Sequence, residues 1–209
     1  MPVELNKNFV KKAIKDTSSD FLNGVLYKMC RDNPLHKEHG VIMGKVLIIG
    51  RTYAAAIERR RKKNQRGRLR GDFYKDCVVP KIRESKIDKW LRGLDKNPSH
   101  HRALETHKLV MRLFRRISKQ ENRSLASKYL HFHLPGRFYL HDSRARKAIS
   151  KHKLRVHVPR SRKCDRVYAR FYLQCEKLNQ GIASYFRRLT PRELDKVLLA
   201  WDAKKRSSR

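Results

Sequence analysis

The sequence predicts an all-α fold, and three observations carry that prediction. Apolar residues recur at three- and four-residue spacing through most of the 209-residue chain. No series of alternating strands breaks that spacing, and the helical stretches are parted by short turns, as at residues 94–101 and 133–137. No internal repeat is visible. The length suits a single helical domain over residues 1–209, with two lobes, roughly 1–95 and 96–209, flanking a cleft.

Residues 1–16 are polar and basic and read as a loose arm or a short first helix. Thr17, Ser18, Ser19 and Asp20 offer capping groups before Phe21, Leu22, Val25, Leu26 and Met29. That stripe draws an amphipathic helix with its apolar face in the core, ending near Pro34. Residues 41–61 are apolar and then basic, and their length favours a helix in which Gly44 and Gly50 allow close approach of a neighbour. Tyr53 reads as a packed side chain. Residues 59–70 form the densest basic run, with Arg66 and Arg68 expected to track phosphates. Residues 72–94 resume helical spacing, with Pro80 starting or kinking a helix and Trp90 expected as a core anchor.

Ser99 is placed to cap a helix over 103–117 that buries Leu104, Leu109, Val110, Leu113, Phe114 and Ile117. Residues 151–163 form a basic connector. A further helix over 165–186 buries Val167, Tyr168, Phe171, Tyr172, Cys175, Leu178, Ile182 and Phe186. Thr190, Pro191 and Glu193 then stand as N-cap, first helical residue and third, a capping box that opens the last helix. Leu194, Val197, Leu198 and Trp201 complete the core.

Lys and Arg number 53 against 19 Asp and Glu, a formal net charge of +34. A charge of that size opposes compaction unless a polyanion relieves it, and nucleic acid is the expected partner. No apolar run approaches the roughly 18 residues of a membrane span, and the first residues lack the apolar core of a secretion signal. The expected place is therefore the cytoplasm and nucleoid of a prokaryote, or the nucleus, with no membrane partner. Cys30, Cys77, Cys164 and Cys175 contain no C-x-x-C pair, so neither a zinc knuckle nor an iron–sulfur loop is indicated and buried reduced thiols are expected.

The stretch from 124 to 149, SLASKYLHFHLPGRFYLHDSRARKAI, carries the chemistry. Lys128 lies among Leu125, Ala126, Tyr129, Leu130 and Phe132, so its helix should be largely buried. An amine in such surroundings loses hydration and with it part of its preference for the charged form, which favours attack on carbon. Pro135 and Gly136 break the helix, Phe138, Tyr139 and Leu140 make an apolar return, and Asp142 stands before another helix as its expected cap.

A lysine on the second helix of a hairpin, then a turn, an apolar run and an aspartate, resembles the helix-hairpin-helix DNA glycosylases. The lysine-bearing, 8-oxoguanine-glycosylase-like branch is the most similar. The resemblance implies an all-α fold with a helix-hairpin-helix element and a monomer acting on duplex DNA without a cofactor or metal. It implies that a modified or damaged base is flipped out and excised, that Lys128 attacks C1′, and that Asp142 stabilises the charge developing on the sugar. Strand cleavage by β-elimination is a possible second activity. Arg123, Ser127, Arg144, Arg146 and Lys147 would hold the flanking phosphates. In the hairpin turn, residues 118–124, Asn122 is the residue expected to adopt a left-handed conformation. Both repair and removal of hypermodified bases from phage DNA suit such an enzyme.

Two other classes compete. A nucleic-acid-binding protein without catalysis needs the same charge. The dipeptide His141-Asp142 also occurs in metal-dependent HD-type phosphohydrolases, for which His107 and Asp165 or Asp195 would be the further ligands.

Overall fold

The computed structural model describes residues 5–58 and 72–207, so Arg66 and Arg68 lie outside the described residues. The fold is all-α. Its elements are α1 (Lys7–Ile14), α2 (Asp20–Asp32), α3 (His39–Thr52), a π-helical turn (Tyr74–Val78), α4 (Val79–Arg83), α5 (Ile87–Lys96), α6 (His100–Ser118), α7 (Arg123–His133), α8 (Ser143–Ser150), α9 (Arg166–Ala183) and α10 (Pro191–Ser207). Among the described residues no helix is long and apolar enough to cross a membrane.

Local chemistry sets the starts of these helices. The Ser99 hydroxyl accepts from the Arg102 amide at 3.2 Å, and Asp165 caps α9 through the Tyr168 amide at 2.8 Å. At α10 the Glu193 carboxylate accepts from the Thr190 amide at 2.9 Å while the Thr190 hydroxyl accepts from the Glu193 amide at 3.2 Å, the reciprocal box read from the sequence. Pro80 falls in the first turn of α4, where the missing N–H is not needed.

The helix α7 lies among α6, α3 and α2, while α10 packs on α8 and α1 and so joins the two ends of the chain. Trp201, Tyr129, Tyr168, Phe114, Phe132 and Phe138 are the largest fully buried aromatic side chains of the core. Cys30, Cys164 and Cys175 are buried free thiols and Cys77 is half-buried.

Four sequence expectations are corrected. On α2 the buried residues are Asn23, Leu26 and Cys30, while Phe21 is 87% exposed and Leu22 and Val25 also face outward. Polar pairing turns the helix: Asn23 accepts from the Tyr53 hydroxyl at 2.5 Å and Tyr27 meets His131 Nε2 at 2.6 Å. The helix α3 stops at Thr52 rather than continuing to 61. Its end is fixed by Gly50, where an added Cβ would lie 3.1 Å from the Ala56 backbone, and by the left-handed Ala54 (φ 48°). Gly44 has no such neighbour. Trp90 is half-buried rather than a core anchor, because α5 turns Ile87, Leu91 and Leu94 inward. Val167 is 46% exposed on the first turn of α9, whose inward face begins at Tyr168.

Candidate active site

The site is assembled around α7. Its first turn follows a short connection from α6 in which Lys119, not Asn122, adopts the left-handed conformation (φ 61°). Asn122 instead precedes α7 at φ −94° and donates to the Ser118 hydroxyl at 2.5 Å. Lysine at the left-handed position is anchored by its own amide, which donates to the Arg115 carbonyl and closes α6.

Beyond α7 the apolar return is pinned along its whole length. The Phe138 carbonyl faces His131 Nδ1 at 2.8 Å, the Tyr139 carbonyl accepts from the Tyr168 hydroxyl at 3.1 Å, and the Tyr139 hydroxyl donates to Glu176 at 2.7 Å. The His141 amide donates to the Ser127 hydroxyl at 3.0 Å. These bonds lay residues 138–141 against α7 and α9 and deliver Asp142 to the start of α8. There one carboxylate oxygen accepts from the Ala145 amide at 2.8 Å, so Asp142 is the N-cap. Placed at a helix N-terminus, a carboxylate gains from the helix dipole and keeps its second oxygen for other work.

Lys128 and Asp142 line the same cavity, of about 530 Å³. Its walls are the 53–56 segment after α3, the first turns of α7 and α8, His141, and the exposed Val167 of α9. The Lys128 side chain is 2% exposed. Its ammonium nitrogen lies 2.9 Å from the Ser124 hydroxyl, 3.4 Å from the Tyr53 carbonyl and 5.5 Å from the centre of the Tyr53 ring. The lysine is therefore held in one place by groups on two elements.

Two further titratable groups crowd this centre. His141 is buried with its ring edge-on to Phe171 at 5.0 Å, and neither ring nitrogen has a hydrogen-bond partner among the described residues. Burial, then the charges of Arg123, Arg146 and Lys128, push its pKa down to about 4, so the ring is neutral at pH 7. Asp195 of α10 is buried, pairs with Arg192 at 2.7 Å, and leaves its other oxygen without a hydrogen-bond partner. Burial and the nearby Asp142 carboxylate push its pKa up to about 7 against the pull of Arg192 and Lys128.

The expected phosphate contacts divide. Arg144 and Arg146 are exposed at the cavity rim, Arg144 lying 3.7 Å from the buried Asp202. Lys147 is exposed on the same helix outside the cavity. Arg123 is already matched: it holds both oxygens of Asp165, at 2.6 and 2.9 Å, and Glu121 at 3.1 Å. It ties the starts of α7 and α9 together rather than reaching outward. Ser127 is a plain correction. It is fully buried, its hydroxyl donating to the Ser124 carbonyl and accepting from the His141 amide, so it positions the Asp142 segment and cannot touch a phosphate.

The ligands expected for an HD-type centre are used otherwise. His107 stacks on Tyr168 with ring centres 3.6 Å apart, Asp165 is bound by Arg123, and Asp142 caps α8. Among the described residues no group of three or more His, Cys, Asp or Glu side chains is arranged to hold a metal ion. The sequence does not mark Tyr53 or Val167 as walls of the site or place Asp195 near it. Tyr53 and Val167 line the cavity with Lys128, and Asp195 lies behind it, within electrostatic reach of Lys128 and Asp142.

No family model, curated protein or solved structure matches the chain.

Proposed function

We propose that this protein is a DNA glycosylase in which Lys128 is the nucleophile and Asp142 the stabilising carboxylate. The single observation that supports this most is that one cavity is lined by both side chains, each fixed by a hydrogen bond on its own helix. A cavity of about 530 Å³ accommodates a flipped nucleobase and its sugar. The rim carries the exposed cations Arg144 and Arg146, and the whole chain carries +34, which suits a polyanionic substrate.

In the proposed reaction a target nucleotide swings out of duplex DNA and its C1′ comes to rest between the two groups. The Lys128 amine adds to C1′ while the bond from C1′ to the base nitrogen breaks, the bonding pair leaving with the base, which takes up a proton. Asp142 lowers the cost of positive charge on the sugar ring during that exchange. The amine must be unprotonated to attack, and Ser124 and the Tyr53 carbonyl orient its nitrogen. The adduct then opens to a Schiff base, from which β-elimination cleaves the strand.

Borohydride reduction in the presence of DNA carrying modified bases tests the chemistry. A covalent protein–DNA adduct that forms with the wild type and vanishes in Lys128→Ala is the expected outcome, with the peptide at Lys128 carrying the sugar fragment. A wild-type protein that binds the same DNA yet neither forms the adduct nor releases any base from a panel including hypermodified phage DNA returns the chain to the class of non-catalytic nucleic-acid binders.

A further inference from the structure

A second cavity of about 600 Å³ lies on the other side of the α6–α7 connection, lined by Trp90, Leu109, Arg112, Arg115, Arg116 and Lys119. Leu109, Arg112, Arg116 and Lys119 are spaced by three or four residues, so one face of α6 presents them in a row. Trp90 comes from α5, which packs beside α6, and its half-exposed indole makes the opposite wall. Arg115 pairs with Glu121 at 3.2 Å. Arg112, Arg116 and Lys119 are exposed and make no ion pair among the described residues. Among the described residues no carboxylate lines the groove.

An aromatic plane beside a row of unneutralised cations is the arrangement that binds an unpaired nucleic-acid strand. The ring takes a base by stacking, which tolerates any sequence, while the cations follow the phosphates. A folded acidic protein would be served by the cations but would leave the indole unexplained. An apolar peptide would leave three arginines and a lysine facing it. We propose that this groove is a second nucleic-acid site, which holds a nucleotide of single-stranded DNA with its base on Trp90 and its phosphates on Arg112, Arg116 and Lys119. The turn that separates it from the first cavity is short, with Lys119 on the groove side and Glu121 and Asn122 on the other. The groove relies on nucleic acid being the partner and not on any chemistry at Lys128.

The chain supplies its own probe, since it has two tryptophans and Trp201 is 1% exposed in the core. Titration with a short thymidine oligonucleotide is expected to quench the Trp90 fluorescence, and Trp90→Leu to abolish that quenching. Heparin, a polyanion without bases, is expected to bind and leave the emission essentially unchanged. The charge reversal R112E/R116E should weaken the quenching titration by about tenfold or more and flatten its salt dependence by about 0.7 per lost contact on a log–log plot. Lys11→Glu, at an exposed position on α1, should leave it unchanged. Quenching as strong with heparin as with the oligonucleotide, or a titration indifferent to R112E/R116E, overturns the proposal, as does the absence of quenching. Circular dichroism of the variants separates a lost site from a lost fold. Because the readout is fluorescence of Trp90, a failure here is distinct from a failure of adduct formation at Lys128.

Discussion

At the scale of single residues, Asp142 does two things with one carboxylate. One oxygen caps α8 through the Ala145 amide, and the group as a whole lines the cavity beside Lys128. Asparagine caps a helix about as well as aspartate but carries no charge. Asp142→Asn should therefore fold with little loss of stability and keep its affinity for DNA, while base release falls about a hundredfold or more, the size of effect usual for removing one stabilising group. Single-turnover base release beside a DNA-binding titration checks this, and a variant with unimpaired release would remove Asp142 from the chemistry. Ser127 offers the contrasting case. Ser127→Ala leaves the buried His141 amide without its acceptor, at about 1–3 kcal/mol. Denaturant unfolding should register that loss, while the salt dependence of DNA binding stays the same, because the hydroxyl has no reach to solvent. The burial of Lys128 and the capping role of Asp142 are legible in the sequence because both lie in one stretch with strong local signals, an apolar helix around one and a helix start after the other. The burial of Ser127 and the capture of Arg123 by Asp165 are not, since each depends on a partner brought near by the fold.

At the scale of helices, ends were more legible than faces. The box at Thr190 and Glu193 needs only four consecutive residues, and it forms as read. Thr190→Ala should cost about 1 kcal/mol through the loss of that cap, measurable as a lowered denaturation midpoint with an unchanged slope. A shift in slope instead would mean that α10 unfolds apart from the rest. The inward face of α2 is not legible from hydrophobic periodicity, which weighs Phe21, Leu22 and Val25 and is blind to Asn23 and Tyr27. Those polar side chains find Tyr53 and His131 across the helix interface, and a buried hydrogen-bonding group left without such a partner costs about as much as burying an apolar side chain gains. Trp90 follows the same pattern: an aromatic beside an apolar stripe reads as core until the stripe's direction is known.

At the scale of the whole molecule, buried imidazoles set the response to acid. His36, whose ring lies 2.5 Å from Asp88 and 2.7 Å from the Tyr129 hydroxyl, and His131 both have pKa values pushed down to about 4 by burial, as does His141; His107 and His133 are lowered too. The unfolded chain takes up protons at these rings from about pH 6.5 downward, while the folded chain refuses them until the pH is well below that, about 4 for His36, His131 and His141. Their contribution to stability is thus complete above about 6.5 and is lost as the pH falls toward 4. Asp195 acts in the opposite sense, since its raised pKa makes the fold less stable as the pH climbs from about 4 to about 7. Five histidines outweigh one carboxylate. Denaturant unfolding at neutral pH and at about pH 5 should show a clear loss of stability on acidification, and a flat or rising profile would mean that the rings are solvated in the native state.

The walls of the first cavity come from residues 53–56, 121–128, 141–146 and 167, segments that meet only when α3, α7, α8 and α9 have all docked. On the proposed chemistry, no stretch of the polypeptide holds a competent amine by itself, so a chain still emerging from the ribosome is inert toward the genome around it. Cutting the polypeptide between α7 and α8 and parting the pieces would silence both, and activity regained on remixing would report their reunion.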